Sequence, residues 1–207
     1  VRPNMSDQEP LDSKQSVKKS TLYTRTGDSG TSQLFNGERR EKSCDVFEAL
    51  GSIDELSASL GLAREYCKAD SNGLDPKLEW IQSRLIDLMS SVATPRDTTK
   101  SQSKLKRTEF DSTTVEQLEQ WIDEMDSNLP PLTQFILPSG GLASAQLHVA
   151  RGVARRAERC TVPLVMSESV EVQVGKFLNR LSDFIFAAAR TAAAFIGEKE
   201  TTYKKAK

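Results

Sequence analysis

Histidine is nearly absent from this sequence: His148 is the only one, and cysteine is confined to Cys44, Cys67 and Cys160. A zinc site or a Ser-His-Asp triad would rest wholly on His148, which its helical context makes a packed or surface residue instead. Three scattered cysteines without a CxxC pair support neither a disulfide framework nor a zinc site, and read as inert thiols. Charge of either sign is not in excess. The formal net charge is −1, which removes the electrostatic case for a nucleic-acid surface. No apolar run reaches the ~20 residues of a membrane span. The most apolar stretch, "FIFAAARTAAAFIG" at 184–197, is shorter, carries Arg190 and reads as a buried helix. The GK[ST] ending of a Walker phosphate loop is missing as well.

What is present is helical periodicity. The chain has 207 residues, 37% of them hydrophobic, enough for one domain plus a tail. Residues 1–20 lack apolar periodicity and the apolar core of a secretory signal, and read as a disordered tail. From 45 to 67, Val46, Leu50, Ile53, Leu56 and Leu60 recur at steps of three and four, the signature of an amphipathic helix. A second helix is expected over 75–93, with Asp75 as N-cap and Pro76 at its first position. A third is expected over 113–125, opened by a Thr113/Glu116 capping box. A fourth runs from about Leu142 to Cys160, and a fifth from about Glu168 to Ile196, with Gly197 as the stop. The only strand expected is a short one near 21–24. This pattern predicts an all-α fold, a five-helix antiparallel bundle over 21–197, followed by a flexible tail at 198–207. The polar connection 94–110 is long for a bundle loop.

Two stretches are not explained by packing. "TRTGDSGTS" at 24–32 holds two glycines, five hydroxyl side chains, one Arg and one Asp. Successive backbone N–H groups in such a turn form an anion-binding concavity, with Arg25 and Lys42 as charged donors. Gly-Asp-Ser-Gly is also ordinary turn chemistry. In "RGVARRAER", Arg151, Arg155 and Arg159 follow at i, i+4 spacing with Glu158 close to the same stripe. Like charges so placed cost roughly 0.2–0.5 kcal/mol per pair, which an anionic partner would offset. That partner is either neighbouring carboxylates or a phosphate ligand; a solvated basic face is the alternative. The stripe follows "FILPSGG" (135–141), which leads into a helix N-terminus. In the last helix, Asn179 and Asp183 stand beside Phe177, Leu181 and Phe184; Asn179 either reads a nucleobase or ribose, or ties two helices together. Asp54 is either exposed or paired with an arginine, and Arg151 is the expected partner.

The glycine-hydroxyl loop, "VFEALGSIDELSASLG", "LPPLTQFILPSGG", "RRAER" and "FLNRLSDFIF", in this order, resemble the PduO-type ATP:cob(I)alamin adenosyltransferases, and the animal mitochondrial enzymes in particular. The resemblance runs from about Leu22 to Ala194. The family's loop commonly reads TGDKG, so Ser29 is a departure. The resemblance implies a homotrimer of five-helix bundles with active sites between subunits. It implies that Thr24, Arg25, Thr26, Gly27, Ser32 and Lys42 bind the phosphates of ATP. It implies that Arg155, Arg156, Ala157, Glu158, Arg159 and Asn179 contact ATP or its Mg2+, with Glu158 nearest the metal. Asp54 and Arg151 look like the family's intersubunit salt bridge, and Phe135 like the aromatic that packs under the corrin. The implied reaction joins the adenosyl group of ATP to the cobalt of cobalamin. The resemblance also implies a mitochondrial location and an adenosylcobalamin-dependent mutase as acceptor of the product, with no nucleic-acid or membrane partner. The rival readings are a nucleotide phosphohydrolase or kinase, a nucleotide sensor or cobalamin chaperone, and a purely structural bundle. The nature of the released phosphate separates the first of these from adenosyl transfer.

Overall fold

The computed structural model describes Ser20 and residues 23–206. The tail expected at 1–20 therefore lies outside the described residues, apart from Ser20. The first long helix, α1 (Asp45–Asp70), buries Val46, Ala49, Ile53, Leu56, Leu60, Ala63 and Cys67. These steps alternate three and four without a break, a 3.5-residue seam of the coiled-coil kind. Ala49 takes the place in the seam that Leu50 was expected to fill, and Leu50 packs at its margin. The helix ends where Ser71 enters the left-handed region at φ 55° and returns its N–H toward the last turn, a C-terminal cap that satisfies otherwise orphaned carbonyls.

α2 (Asp75–Val92) repeats the pattern with Leu78, Ile81, Leu85, Leu88 and Val92. Its N-cap is Leu74, not Asp75, and the turn before it is closed by Asn72, whose Oδ1 accepts the Leu74 N–H at 3.1 Å. Asp75 instead occupies the first turn, where its charge complements the helix dipole. α4 (Thr113–Asp126) likewise starts without the expected capping box. Ser112 is its N-cap, and Asp111 Oδ1 accepts both the N–H and the hydroxyl of Thr113, at 2.9 and 2.8 Å. Between α2 and α4 the polar connection contains a short helix, α3 (Gln102–Arg107), capped by Ser101.

α5 (Gly141–Met166) presents Ala143, Leu147, Ala150, Ala154, Ala157, Thr161 and Leu164 to the interior. Four alanines on this face let it lie close to α1 on one side and to α6 (Val172–Phe195) on the other, the two most extensive helix contacts of the molecule. α6 is buried along most of its length, from Val174 to Ala193. α4 packs on α6, and α2 on α1. Trp121 closes the ring: its indole meets Trp80 of α2 edge-on at 5.1 Å and Phe184 of α6 at 5.8 Å. Together with the Trp121 contacts, the pairs Arg180–Glu119 and Lys77–Glu124 show α4 parallel to α6 and antiparallel to α2, so the expected antiparallel arrangement does not hold between α4 and α6. The all-α expectation holds.

Strand structure is limited among the described residues, and it lies elsewhere than expected. Tyr23 and Thr24 form none, and residues 21–22 are outside the described set. Instead β1 (Thr31–Gln33) and β2 (Arg39–Glu41) pair antiparallel, Ser32 opposite Arg40. The connection turns at Gly37, φ 99°, with the Leu34 N–H donating to Glu38 O at 2.8 Å. Within the expected tail at 198–207, described residues make contacts with the rest of the chain. Thr202 bridges Ile136 antiparallel, and Glu200 pairs with the buried Arg190 of α6.

Candidate functional site

The 24–32 loop sits directly on the hairpin. Arg25 takes a left-handed φ of 62° and Gly30 one of 81°. The chain thereby folds back twice, with Asp28 N–H directed to Arg25 O and Gly30 N–H to Gly27 O. Gly27 lies under the end of Lys42: a Cβ there would stand 3.1 Å from Lys42 Nζ, the far end of a flexible side chain. Lys42 thus lays its ammonium across the loop while its own N–H is held by Gly30 O at 2.9 Å. Thr24 and Thr26 share a hydroxyl hydrogen bond at 2.9 Å, Arg25 lies over the Tyr23 ring, and Ser32 is carried on β1. The loop thus carries several exposed hydroxyls beside the Lys42 ammonium, with no carboxylate paired to Lys42 among the described residues.

Two residues that shape this loop are absent from the expectations. Arg39 donates from Nη2 to Thr26 O at 2.8 Å and to the Thr31 hydroxyl at 2.7 Å. Arg40, on the opposite face of β2 because strand side chains alternate, grips Glu38 through Nε at 2.8 Å and Nη2 at 2.9 Å. Thr98 donates to the same carboxylate at 2.8 Å, and Asn36 reaches Thr99 at 3.2 Å. The Arg40 guanidinium, with Thr98, pulls Glu38 from its ordinary 4.5 down to about 2. This network ties the hairpin to the connection after α2. The Asn36-Gly37 pair, a hairpin signal in itself, was the legible clue.

On α5 the arginines separate by partner. Arg156 pairs with Glu55 of α1. Arg159 donates back to Arg155 O at 3.0 Å. Arg151 lies over the Phe186 ring at 5.3 Å. Arg155 is exposed, and its guanidinium has no partner among the described residues. Glu158 accepts from Asn179 Nδ2 at 2.8 Å, so Asn179 joins α6 to α5 here. Ala157 is fully buried in the seam and its methyl faces the core, away from the arginines. Asp54 is exposed on α1, and the expected Asp54–Arg151 pair is not made within the chain. His148 is half-buried, edge-on to Phe186 at 6.0 Å. Burial, then Arg151, push its pKa below the ordinary 6.5. It is a packed residue, as expected.

Phe135 stands apart. It is 82% exposed, on the segment leading to α5, where Gly140 abuts Ala193 near the end of α6. The loop and hairpin are at the other end of the molecule: Phe35 N–H bonds Ala93 O after α2, and Arg96 N–H bonds Ser169 O just before α6. The 24 residues of α6 put about 36 Å between the two ends.

These features define a mostly helical protein with a polar glycine-hydroxyl loop and the Lys42 ammonium at one end and the exposed Phe135 at the other. The sequence model of the cobalamin adenosyltransferases matches residues 22–192. The chain is 49% identical to corrinoid adenosyltransferase MMAB of Mus musculus over 184 residues, 89% of this chain and 77% of the relative. It is 48% identical to the Homo sapiens counterpart, over 89% and 73%. Among solved structures, a PduO-type ATP:corrinoid adenosyltransferase variant from Lactobacillus reuteri, complexed with cobalamin and ATP, superposes with a TM-score of 0.82 at 32% identity, covering 89% of this chain and 99% of that one. Another variant of the same enzyme, complexed with ATP, gives 0.80 at 33%, covering 88% and 100%. The chain belongs to the cobalamin adenosyltransferase family.

Proposed function

We propose that the chain transfers the 5′-deoxyadenosyl group of ATP to the cobalt of cob(I)alamin, releasing inorganic triphosphate, and that it does so as a trimer of five-helix bundles with active sites between subunits. Family membership supports the reaction. The observation that carries the shared site is the distance between Phe135 and the loop. Transfer requires C5′ and cobalt in contact, and two features about 36 Å apart on one chain meet only when copies assemble.

In this reading the triphosphate lies on the amides of 24–32, with Thr24, Thr26, Ser32 and Lys42 as donors and Arg155 as the free cation. Arg156, Arg159 and Asn179 border it. Among the described residues no group of three or more His, Cys, Asp or Glu could hold a metal. Glu158 is a single oxygen donor, which fits Mg2+, an ion that takes one or two carboxylates and completes its shell with substrate phosphates and water. Mg2+ would supply charge neutralisation on the triphosphate.

Phe135 presents an apolar ring to the lower face of the corrin, excluding the axial ligand of cob(II)alamin and easing one-electron reduction by an external donor. The Co(I) electron pair of cob(I)alamin then attacks C5′. A Co–C bond forms, the C5′–O bond breaks, and triphosphate leaves with that bond's electrons as Co(I) becomes Co(III). No protein base is needed, in keeping with a chain whose one histidine is packed. The protein contributes alignment and donors placed where charge grows on the leaving group. A mitochondrial location, and delivery of the product to an adenosylcobalamin-dependent mutase, follow from likeness to the animal relatives.

The test is an anaerobic assay with chemically reduced cobalamin and Mg-ATP, following Co–C bond formation by absorbance and identifying the released phosphate. Adenosylcobalamin with intact triphosphate is the expected result. Phosphate or pyrophosphate without a Co–C bond would replace the reading with hydrolysis.

A further inference from the structure

The C-terminal residues are tied to the segment that carries Phe135, and no motif identified above accounts for this. Phe135 is 82% exposed, and its ring enters no aromatic or cation pair among the described residues. Its backbone, by contrast, is held. Phe135 O accepts the Tyr203 N–H at 2.8 Å, and the Leu137 N–H donates to Thr201 O at 2.7 Å. Ile136 and Thr202 form an antiparallel bridge between these bonds. The Thr201 N–H donates to Ser139 Oγ at 2.9 Å, and Ser144 Oγ, on the first turn of α5, donates to Ser139 O at 2.6 Å.

A strand pair this short is not stable by itself and needs an anchor. The anchor is Arg190, which is 5% exposed on α6. Its Nε donates to Glu200 Oε1 at 3.0 Å and its Nη2 to Pro130 O at 2.8 Å. A buried guanidinium without its carboxylate is strongly unfavourable, so Glu200 is obliged to dock. One ion pair therefore joins α6, the 130 loop and the C-terminal segment, one residue before the bridge to Phe135 begins.

We propose that residues 198–203 form a strap that positions Phe135, with Glu200 and Arg190 as its positioning residues. The inference rests on the reading of Phe135 as the group that excludes the lower axial ligand. The strap adds no atom to the corrin site. It sets how far the ring projects, and so how much of the bound cob(II)alamin is four-coordinate.

The experiment compares the full-length protein with Glu200→Ala, with a chain ending at Gly197, and with Phe135→Ala. Each is saturated with Mg-ATP and cob(II)alamin, and the four-coordinate fraction is read by electron paramagnetic resonance. Amide exchange at Leu137 is followed without ligands. Glu200→Ala is expected to lower the four-coordinate population about fivefold, the size of effect one ordinary hydrogen bond supports. It is also expected to speed exchange at Leu137 and to leave ATP affinity unchanged. Turnover starting from cob(II)alamin with a reductant should fall more than turnover from pre-reduced cob(I)alamin. If Glu200→Ala keeps both the wild-type four-coordinate fraction and the Leu137 protection while Phe135→Ala loses the fraction, the strap is overturned and the reading of Phe135 stands. If Phe135→Ala itself keeps the fraction, that reading fails and the strap's role falls with it. Should the shortened chain not fold, the full-length Glu200→Ala protein decides alone.

Discussion

The guanidinium of Arg155 leaves α5 unpaired among the described residues, while its neighbours are engaged: Arg156 by Glu55, Arg151 by the Phe186 ring, Arg159 by a backbone carbonyl. A cation left free in a row of satisfied ones is the group with most to gain from an incoming triphosphate. Arg155→Ala should reduce kcat by about 100-fold or more, the scale for removing a donor to developing charge, and weaken ATP binding as well; single-turnover kinetics with ATP titration measure both. Unchanged kinetics at saturating ATP would remove Arg155 from the site. Glu38 offers a test by pH. Its folded pKa lies near 2 against an ordinary 4.5, so its contribution to stability is fully present above about pH 4.5 and is lost as pH falls through about 2. Glu38→Gln should flatten the dependence of the urea midpoint on pH within that window, leaving the curve above it parallel to wild type. The slope of midpoint against pH is the measurement.

Among the elements, the start of α5 is set by two glycines in a row. Gly140 and Gly141 have φ values of 90° and 88°. A Cβ on Gly140 would lie 2.5 Å from Ala193 Cβ, and one on Gly141 2.5 Å from Ile196 Cδ1. This contact brings the Phe135 segment against the end of α6. Gly140→Ala combines a left-handed backbone with a clash against a short side chain that cannot move aside. It should cost at least about 2 kcal/mol and lower Tm by several degrees, read by calorimetry. A variant with wild-type Tm would mean that the helix start shifts without penalty. The hairpin is the contrasting element. Two three-residue strands are too short to stand alone, and their order comes from Arg39 on one face and the Glu38–Arg40–Thr98 network on the other.

For the whole molecule, the exposed Asp54 is informative. Among the described residues of one chain it has no arginine partner, and Arg151 is turned to Phe186. In the proposed trimer Asp54 meets Arg151 of a neighbouring subunit. Asp54→Asn should then weaken assembly, seen as dissociation at low protein concentration in sedimentation velocity, with turnover falling in step as shared sites come apart. A variant of native mass and native kinetics would refute the pairing.

The positions of the long helices were legible because apolar spacing at three and four residues reports burial directly: the seam of α1 differs from its expected form in Ala49 replacing Leu50 and in running on through Ala63 and Cys67. Helix starts were less so. Asp75 and Thr113 have the right side chains for caps, but whether a hydroxyl or carboxylate closes a helix depends on the turn before it, and Asn72 and Asp111 took those roles. The polar glycine-hydroxyl make-up of 24–32 and the basic face of α5 were readable as composition. Which arginine is free was not, because Glu55, Phe186 and the helix backbone reach the stripe only through packing. The sequence by itself determined a mostly helical chain, a glycine-hydroxyl loop and its family, since these depend on local pattern and on motifs in order. Only the tertiary structure decided that the loop and Phe135 lie at opposite ends, and that the last residues grip the Phe135 segment. Both follow from contacts between residues far apart in the chain, where the buried charge of Arg190 and the absence of a Cβ at Gly140 act through space and leave no periodic trace.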